Sequence, residues 1–114
     1  MNLEAHELLA FCVDKAVEKK AKNIISLELK DLTLICDYFL LMTADNTRQA
    51  QAIADFLEEE LEAIDEKPRH IEGYDAGRWV LLDCSAVVVH IFLEEEREYY
   101  NLERLWGDAP RTEY

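Results

Sequence analysis

Glycine and proline are scarce in this chain, with three and two among 114 residues. Nothing in it resembles a glycine-rich phosphate loop, and no stretch reads as a linker or an internal repeat. His-x-x-x-His and Gly-x-Ser-x-Gly patterns are also absent. The usual sequence marks of a zinc hydrolase or a serine hydrolase are therefore missing. Cysteine is limited to Cys12, Cys36 and Cys84, an odd number without C-x-x-C spacing. Each sits among apolar residues, which predicts buried, reduced thiols of the kind found in cytosolic proteins. No apolar run approaches the ~20 residues of a membrane span. The start, Met1-Asn2-Leu3-Glu4-Ala5-His6-Glu7, lacks the basic-then-apolar order of a signal peptide. The expectation is a soluble, cytoplasmic protein with no membrane association.

Basic residues are in short supply as well. Twelve Lys and Arg stand against 25 Asp and Glu, a formal charge of −13. Such a surface repels phosphate backbones, so direct nucleic-acid binding is not expected. It suits a basic protein partner, because opposite potentials steer encounter and fix register. Solubility alone is the plainer explanation of the same charge. What the chain does have is apolar substance: half its residues are hydrophobic, enough for one core in one domain. Residues 1–107 read as that domain and 108–114, with Pro110, as a loose tail.

Asn2 is placed to cap a helix starting at Leu3, with Leu8, Leu9, Cys12, Val13, Ala16 and Val17 on one stripe and an end near Lys22. Asn23–Leu29 alternates as a strand, and 34–43 is apolar on both parities. A strand covered on both faces belongs in the middle of a layered α/β sheet. Asn46 and Gln49 resemble a capping box opening a helix whose Ile53, Ala54, Leu57, Leu61 and Ile64 face inward. Its Glu58, Glu59, Glu60 and Glu62 read as a solvated face. Residues 69–72 form a short strand, and Gly73 and Gly77 bracket a loop. Trp79–Cys84 and Val87–Phe92 then make a hairpin about Ser85-Ala86, a poor two-residue turn that leaves room for a longer or bulged one. A last helix is expected over 94–106. The sum is about five strands flanked by helices.

With that turn, Trp79 faces Phe92, Leu81 faces His90 and Asp83 faces Val88, all on one side of the hairpin. Asp83 and His90 become diagonal neighbours, and Asp37 on an adjacent strand would extend them toward a metal-binding, nucleotidyl- or phosphoryl-transferring centre. Against this, no nucleophile or phosphate loop accompanies them. His90 reads first as a satisfied sheet histidine and Asp83 as a cap for the turn. Trp79, at a strand head beside a flexible loop, is either packed on Phe92 or exposed as an anchor ringed by Glu72, Asp75 and Asp83. The acids Glu94, Glu95 and Glu96 suit a helix start. Arg97 can pair with one of them or with an acid across the sheet.

Taken in order, Asp37-Tyr38-Phe39, Thr43, Arg48-Gln49 with Ile53-Ala54, Glu72-Gly73, Trp79-Val80-Leu81-Leu82-Asp83, Val87 to Phe92, Arg97, Tyr99-Tyr100 and Leu102 to Trp106 resemble the ribosomal silencing factor, or Iojap-related, family. The resemblance spans nearly the whole chain. It implies a small mixed β-sheet flanked by helices, like a nucleotidyltransferase core without the catalytic signature. It also implies a translational repressor with no cofactor, metal or enzymatic activity. Such a repressor binds the large ribosomal subunit through a ribosomal protein at the subunit interface (large-subunit protein fourteen) and blocks joining of the small subunit. Large-subunit assembly is a related role in organelle members. By resemblance, Trp79 and its neighbours on the hairpin, with Glu72 and Asp83, match the family's partner contact; the expected partner-binding set is Glu72, Gly73, Asp75, Trp79, Leu81, Asp83, His90 and Arg97. A homodimer through the sheet edge or the Tyr99–Trp106 segment is an open alternative. Two places depart from the family's habit: Thr43-Ala44-Asp45-Asn46-Thr47 stands for Thr-Gly-x-Ser, and Ser85-Ala86 for Gly-Asp.

Overall fold

The computed structural model describes residues 3–114; the expected Asn2 cap lies outside them. In chain order the elements are α1 Ala5–Glu18, β1 Lys22–Glu28, β2 Tyr38–Ala44, α2 Thr47–Ala63, β3 His70–Glu72, β4 Trp79–Cys84, β5 Val87–Leu93, α3 Glu94–Tyr100, α4 Leu102–Leu105 and β6 Arg111–Glu113. The strands form one mixed sheet of order β3-β4-β5-β2-β1-β6. Among the described residues the β2–β5 pair alone is parallel; the others are antiparallel. The parallel pair sits at the centre, as two-sided apolar strands require, since water can solvate neither face.

Helices α1 and α2 lie on one face. Leu8, Leu9, Cys12, Ile53, Leu57 and Leu61 pack there against Leu40, Met42, Val80, Leu82, Val89 and Ile91. Each large aliphatic side chain sealed in this layer contributes about 1.5–3 kcal/mol, so this side dominates stability. The second face carries a smaller cluster of Ile25, Leu27, Leu41, Val88 and Phe92, partly roofed by Leu102, Trp106 and Ala109.

Four expectations change. The first helix ends at Glu18, with Lys20 at φ 62, and Lys22 already belongs to β1. Residues 34–37 form no strand, so Asp37 precedes β2. The single helix over 94–106 breaks at Asn101 (φ 44, ψ 59), whose side chain then accepts from the Arg104 amide to open α4. Asparagine tolerates the left-handed region better than most residues, which permits that corner. Lastly, 111–113 do not hang loose: they pair with Ile25–Leu27 as a sixth strand, and the Tyr114 hydroxyl meets Ser26 Oγ at 2.9 Å.

Where the family's Thr-Gly-x-Ser usually stands, Asn46 caps α2 by accepting from the Gln49 amide at 2.8 Å. Gln49 reaches back one residue further than a capping box would, to the Asp45 amide. The hairpin turn is tight, pairing Cys84 with Val87. Ser85 adopts φ 68, the conformation glycine usually supplies in such turns. The Asp83 carboxylate compensates by accepting the Ser85 amide at 2.9 Å.

Candidate functional site: the half-covered sheet face

Strand register lays the predicted residues out as a grid on the second face. One row runs Trp79, Phe92, Thr43; the next Glu72, Leu81, His90, Leu41; the third His70, Asp83, Val88, Phe39. Trp106 and Leu102 roof the β1–β2 side, with Trp106 edge-on to Phe39 at 6.1 Å. No helix packs broadly over β3 and β4 on this side. Trp79, Leu81 and Asp83 are consequently half-buried, and Glu72 is exposed.

Trp79 resolves its two readings by combining them. One side of the indole packs on Phe92 (centroids 4.9 Å) and on Tyr100 (4.6 Å), while the rest stays open. Its Nε1–H donates to His90 Nδ1 at 3.0 Å. Tyr100 leads on to Tyr99, edge-on at 5.0 Å. Tyr99 is 81% exposed, Leu105 71% and Tyr100 48%. The apolar surface therefore continues from the sheet onto α3 and α4 as a ridge.

The charge around it differs from the expected rim. Asp83 is bound by Arg69 at 2.9 Å and lies 3.6 Å from His70, which also holds Glu72 at 3.0 Å. Burial pushes the Asp83 carboxyl up, but the Arg69 hydrogen bond and the Ser85 amide outweigh it and hold it below its ordinary value. Asp75 sits in a loop folded toward α2, where Gln51 Nε2 donates to the Tyr74 carbonyl and the Tyr74 hydroxyl to Asp55. Its neighbour Tyr74 packs with the helix-side core. The acids beside the ridge belong instead to α3: Glu95 and Glu96 hold Arg78, while Glu98, in a shallow cleft with Tyr99, Tyr100 and Leu105, has no ion-pair partner among the described residues. Arg69 and Arg78 carry no signal in the sequence, because ion pairing between distant segments leaves no local pattern.

Arg97 does not reach the open face. It is 8% exposed and donates to the Asn23 carbonyl (2.6 Å), Thr43 Oγ1 (2.9 Å) and the Glu103 carboxylate (3.3 and 3.4 Å). The acid it finds is Glu103, not one of Glu94 to Glu96. A cleft of about 510 Å³ opens beside it, lined in part by Asn23, Glu94, Glu98 and Glu113; this cleft does not include Trp79.

The catalytic alternative loses its geometry. His90 gives its Nδ1 to Trp79, and Asp83 is committed to Arg69 and the turn. Among the described residues no group of three or more His, Cys, Asp or Glu is placed to hold a metal. The thiols are buried and unpaired. Burial raises Cys36 to about 11 and Cys84 to about 12, with Cys12 higher still, so none is a nucleophile near neutral pH.

Gly73 ties the loop to the face. It adopts φ +76, and a Cβ there would stand 2.1 Å from the Trp79 carbonyl oxygen. Gly73→Ala must displace the backbone of Trp79 or strain its own. A loss of about 2 kcal/mol or more in urea unfolding is expected, with an altered environment for the Trp79 indole.

His90 makes a second prediction. Enclosure among Phe39, Trp79 and Phe92 lowers it by desolvation from its ordinary 6.5 to about 4. The unfolded chain therefore takes up this proton at a higher pH than the folded one. The stabilisation is complete above pH 6.5 and fades as pH falls from 6.5 toward 4, by about 3 kcal/mol in all. Other carboxylates titrate over the same range, so the difference between wild type and His90→Phe in urea melts isolates it. A flat difference across pH 4 to 7 contradicts the burial argument.

Residues 2–114 match the family described as "Ribosomal silencing factor during starvation". The ribosomal silencing factor RsfS of Halalkalibacterium halodurans is 44% identical over 107 residues, covering 94% of this chain and 92% of that one. That of Bacillus subtilis is 43% identical over 82% of this chain and 79% of its own. A crystal structure of a Chromobacterium violaceum protein superimposes with a TM-score of 0.89 at 33% identity, covering 92% of this chain and 88% of that one. With this sheet, this half-covered face and these relatives, the chain belongs to the ribosomal silencing factor family, ribosome-associated regulators of translation rather than enzymes.

Proposed function

We propose that this protein represses translation by occupying the large ribosomal subunit where the small subunit must join. It docks through the face centred on Trp79 onto a basic ribosomal protein, large-subunit protein fourteen by resemblance to the family, and acts in the cytoplasm. The observation that carries the reading is the open half of the sheet. A half-buried indole packs on Tyr100, which meets Tyr99, and the exposed Tyr99 and Leu105 share a shallow cleft with Glu98, an acid with no ion-pair partner among the described residues. An apolar anchor in an acidic setting complements a basic protein surface and repels bare RNA. The mechanism requires only occupancy: a 13.3 kDa body covers surface that the other subunit needs.

The edges of the sheet are poorly suited to self-pairing. Strands β3 and β6 are three residues long and carry His70, Glu72, Arg111 and Glu113, the short charged edges that discourage strand addition. A homodimer would instead use the Tyr99–Trp106 segment and compete with the ribosome for it. A part in large-subunit assembly would use the same face; precursor particles accumulating on depletion would favour it.

Co-sedimentation with purified large subunits tests the proposal. Binding is expected at low ionic strength and should weaken as salt rises, because acidic-to-basic contacts at the rim are screened. Absence of the protein from the large-subunit pellet at low salt overturns it.

A further inference from the structure

We infer that His90 is a positioning residue, holding the Trp79 indole in its docking orientation by accepting the indole N–H. This rests on the docking role proposed for Trp79. His90 is 3% exposed and lies on β5, one row from Trp79 on the same face. Its Nδ1 accepts from Trp79 Nε1 at 3.0 Å. That geometry requires the neutral tautomer with hydrogen on Nε2. Nε2 is buried and has no hydrogen-bond partner.

A buried donor without an acceptor is costly and uncommon. The surroundings of His90 call for an apolar residue: Phe92 stacks parallel at 5.9 Å and Phe39 lies edge-on at 4.5 Å. Phenylalanine would fill the space without a stranded N–H. What the imidazole supplies, and phenylalanine cannot, is an acceptor aimed at the one polar atom of the indole. The bond turns that atom inward, so the open part of Trp79 is wholly apolar. Together with Phe92 and Tyr100 it restricts the ring before any partner arrives. An anchor fixed in advance loses less freedom on binding.

The test compares His90→Phe, His90→Asn and Trp79→Ala in large-subunit binding, thermal unfolding at pH 7.5 and indole N–H exchange by NMR. His90→Phe is expected to melt at or above the wild-type temperature yet bind about five- to tenfold more weakly. Its Trp79 indole N–H, the signal missing from Trp79→Ala, should exchange faster. His90→Asn keeps an amide oxygen near the Nδ1 position and should recover part of the affinity. Because His90 acts through Trp79, the double variant should bind no worse than Trp79→Ala alone.

If Trp79→Ala weakens binding and His90→Phe does not, the positioning role is wrong while the docking surface stands. If neither weakens it, the docking surface itself is wrong. Loss of affinity in proportion to loss of melting temperature would reduce His90 to a packing residue. Rapid exchange of the Trp79 indole N–H in the wild-type protein overturns the inference whatever the variants do.

Discussion

Trp79→Ala is expected to weaken binding to the large subunit by at least about 2 kcal/mol, roughly thirtyfold, and leave the fold standing. The substitution removes the aromatic body that joins the sheet surface to the Tyr100–Tyr99 ridge. Desolvated aromatic anchors near the centre of a patch carry most of the energy of an interface, while the surrounding contacts mainly exclude water. The larger core beneath α1 and α2 is untouched, because Trp79 packs only against the smaller cluster on the opposite side. Circular dichroism should therefore match wild type, with a modest fall in melting temperature from the lost contacts to Phe92 and His90. Unchanged co-sedimentation would remove Trp79 from the contact. A collapsed spectrum would reassign it to the core.

Arg97→Met is expected to produce the largest loss of stability, about 3 kcal/mol, seen as a melting temperature lower by on the order of 10 °C. One guanidinium joins three segments: the bulged start of β1 at the Asn23 carbonyl, the end of β2 at Thr43, and α4 at Glu103. Methionine fills a similar length but strands those acceptors. Glu103 has 22% of its side chain exposed and can be partly rehydrated, which keeps the loss at the lower end of the range for broken buried pairs. Arg97→Lys should restore little, since a single ammonium cannot reproduce the planar fork. Loosening α4 should also lift Trp106 and Leu102 from the β1–β2 side of the second face. A melting temperature within 2 °C of wild type would show that the clamp is dispensable.

The strands were largely legible in the sequence because apolar alternation and two-sided burial are local signals, but of their pairings only the hairpin's was. The pairing of Trp79 with Phe92 and of Leu81 with His90 followed from turning the hairpin at Ser85-Ala86. That turn depends on Asp83, whose carboxylate supplies what the dipeptide lacks. The tail was harder to read: Arg111-Thr112-Glu113 has no apolar pattern, and its strand exists only because β1 offers a free edge. Asn101 gave no warning beyond its residue type that it would break the last helix.

The sharing of one sheet face by Trp79, Phe92 and His90 was legible in the sequence, but the charge around them was not. Glu72 and Asp83 look like free acids along the chain, and only the fold brings His70 and Arg69 against them. Arg97 looks like a contact residue along the chain, whereas its hydrogen bonds to three partners place it inside the protein. His90 fell to neither expectation alone. It is a sheet histidine with one ring nitrogen satisfied and the other stranded, a condition visible only once Trp79 is in place.

The central claim is that occupancy of the large subunit by this face keeps the ribosomal subunits apart. Purified large and small subunits should be mixed at a magnesium concentration that joins them, with rising amounts of the protein, and separated on sucrose gradients. Wild-type protein is expected to convert joined ribosomes into free subunits while comigrating with the large one, and Trp79→Ala to leave them joined. Ribosomes that stay joined with the wild-type protein bound to them would contradict the account.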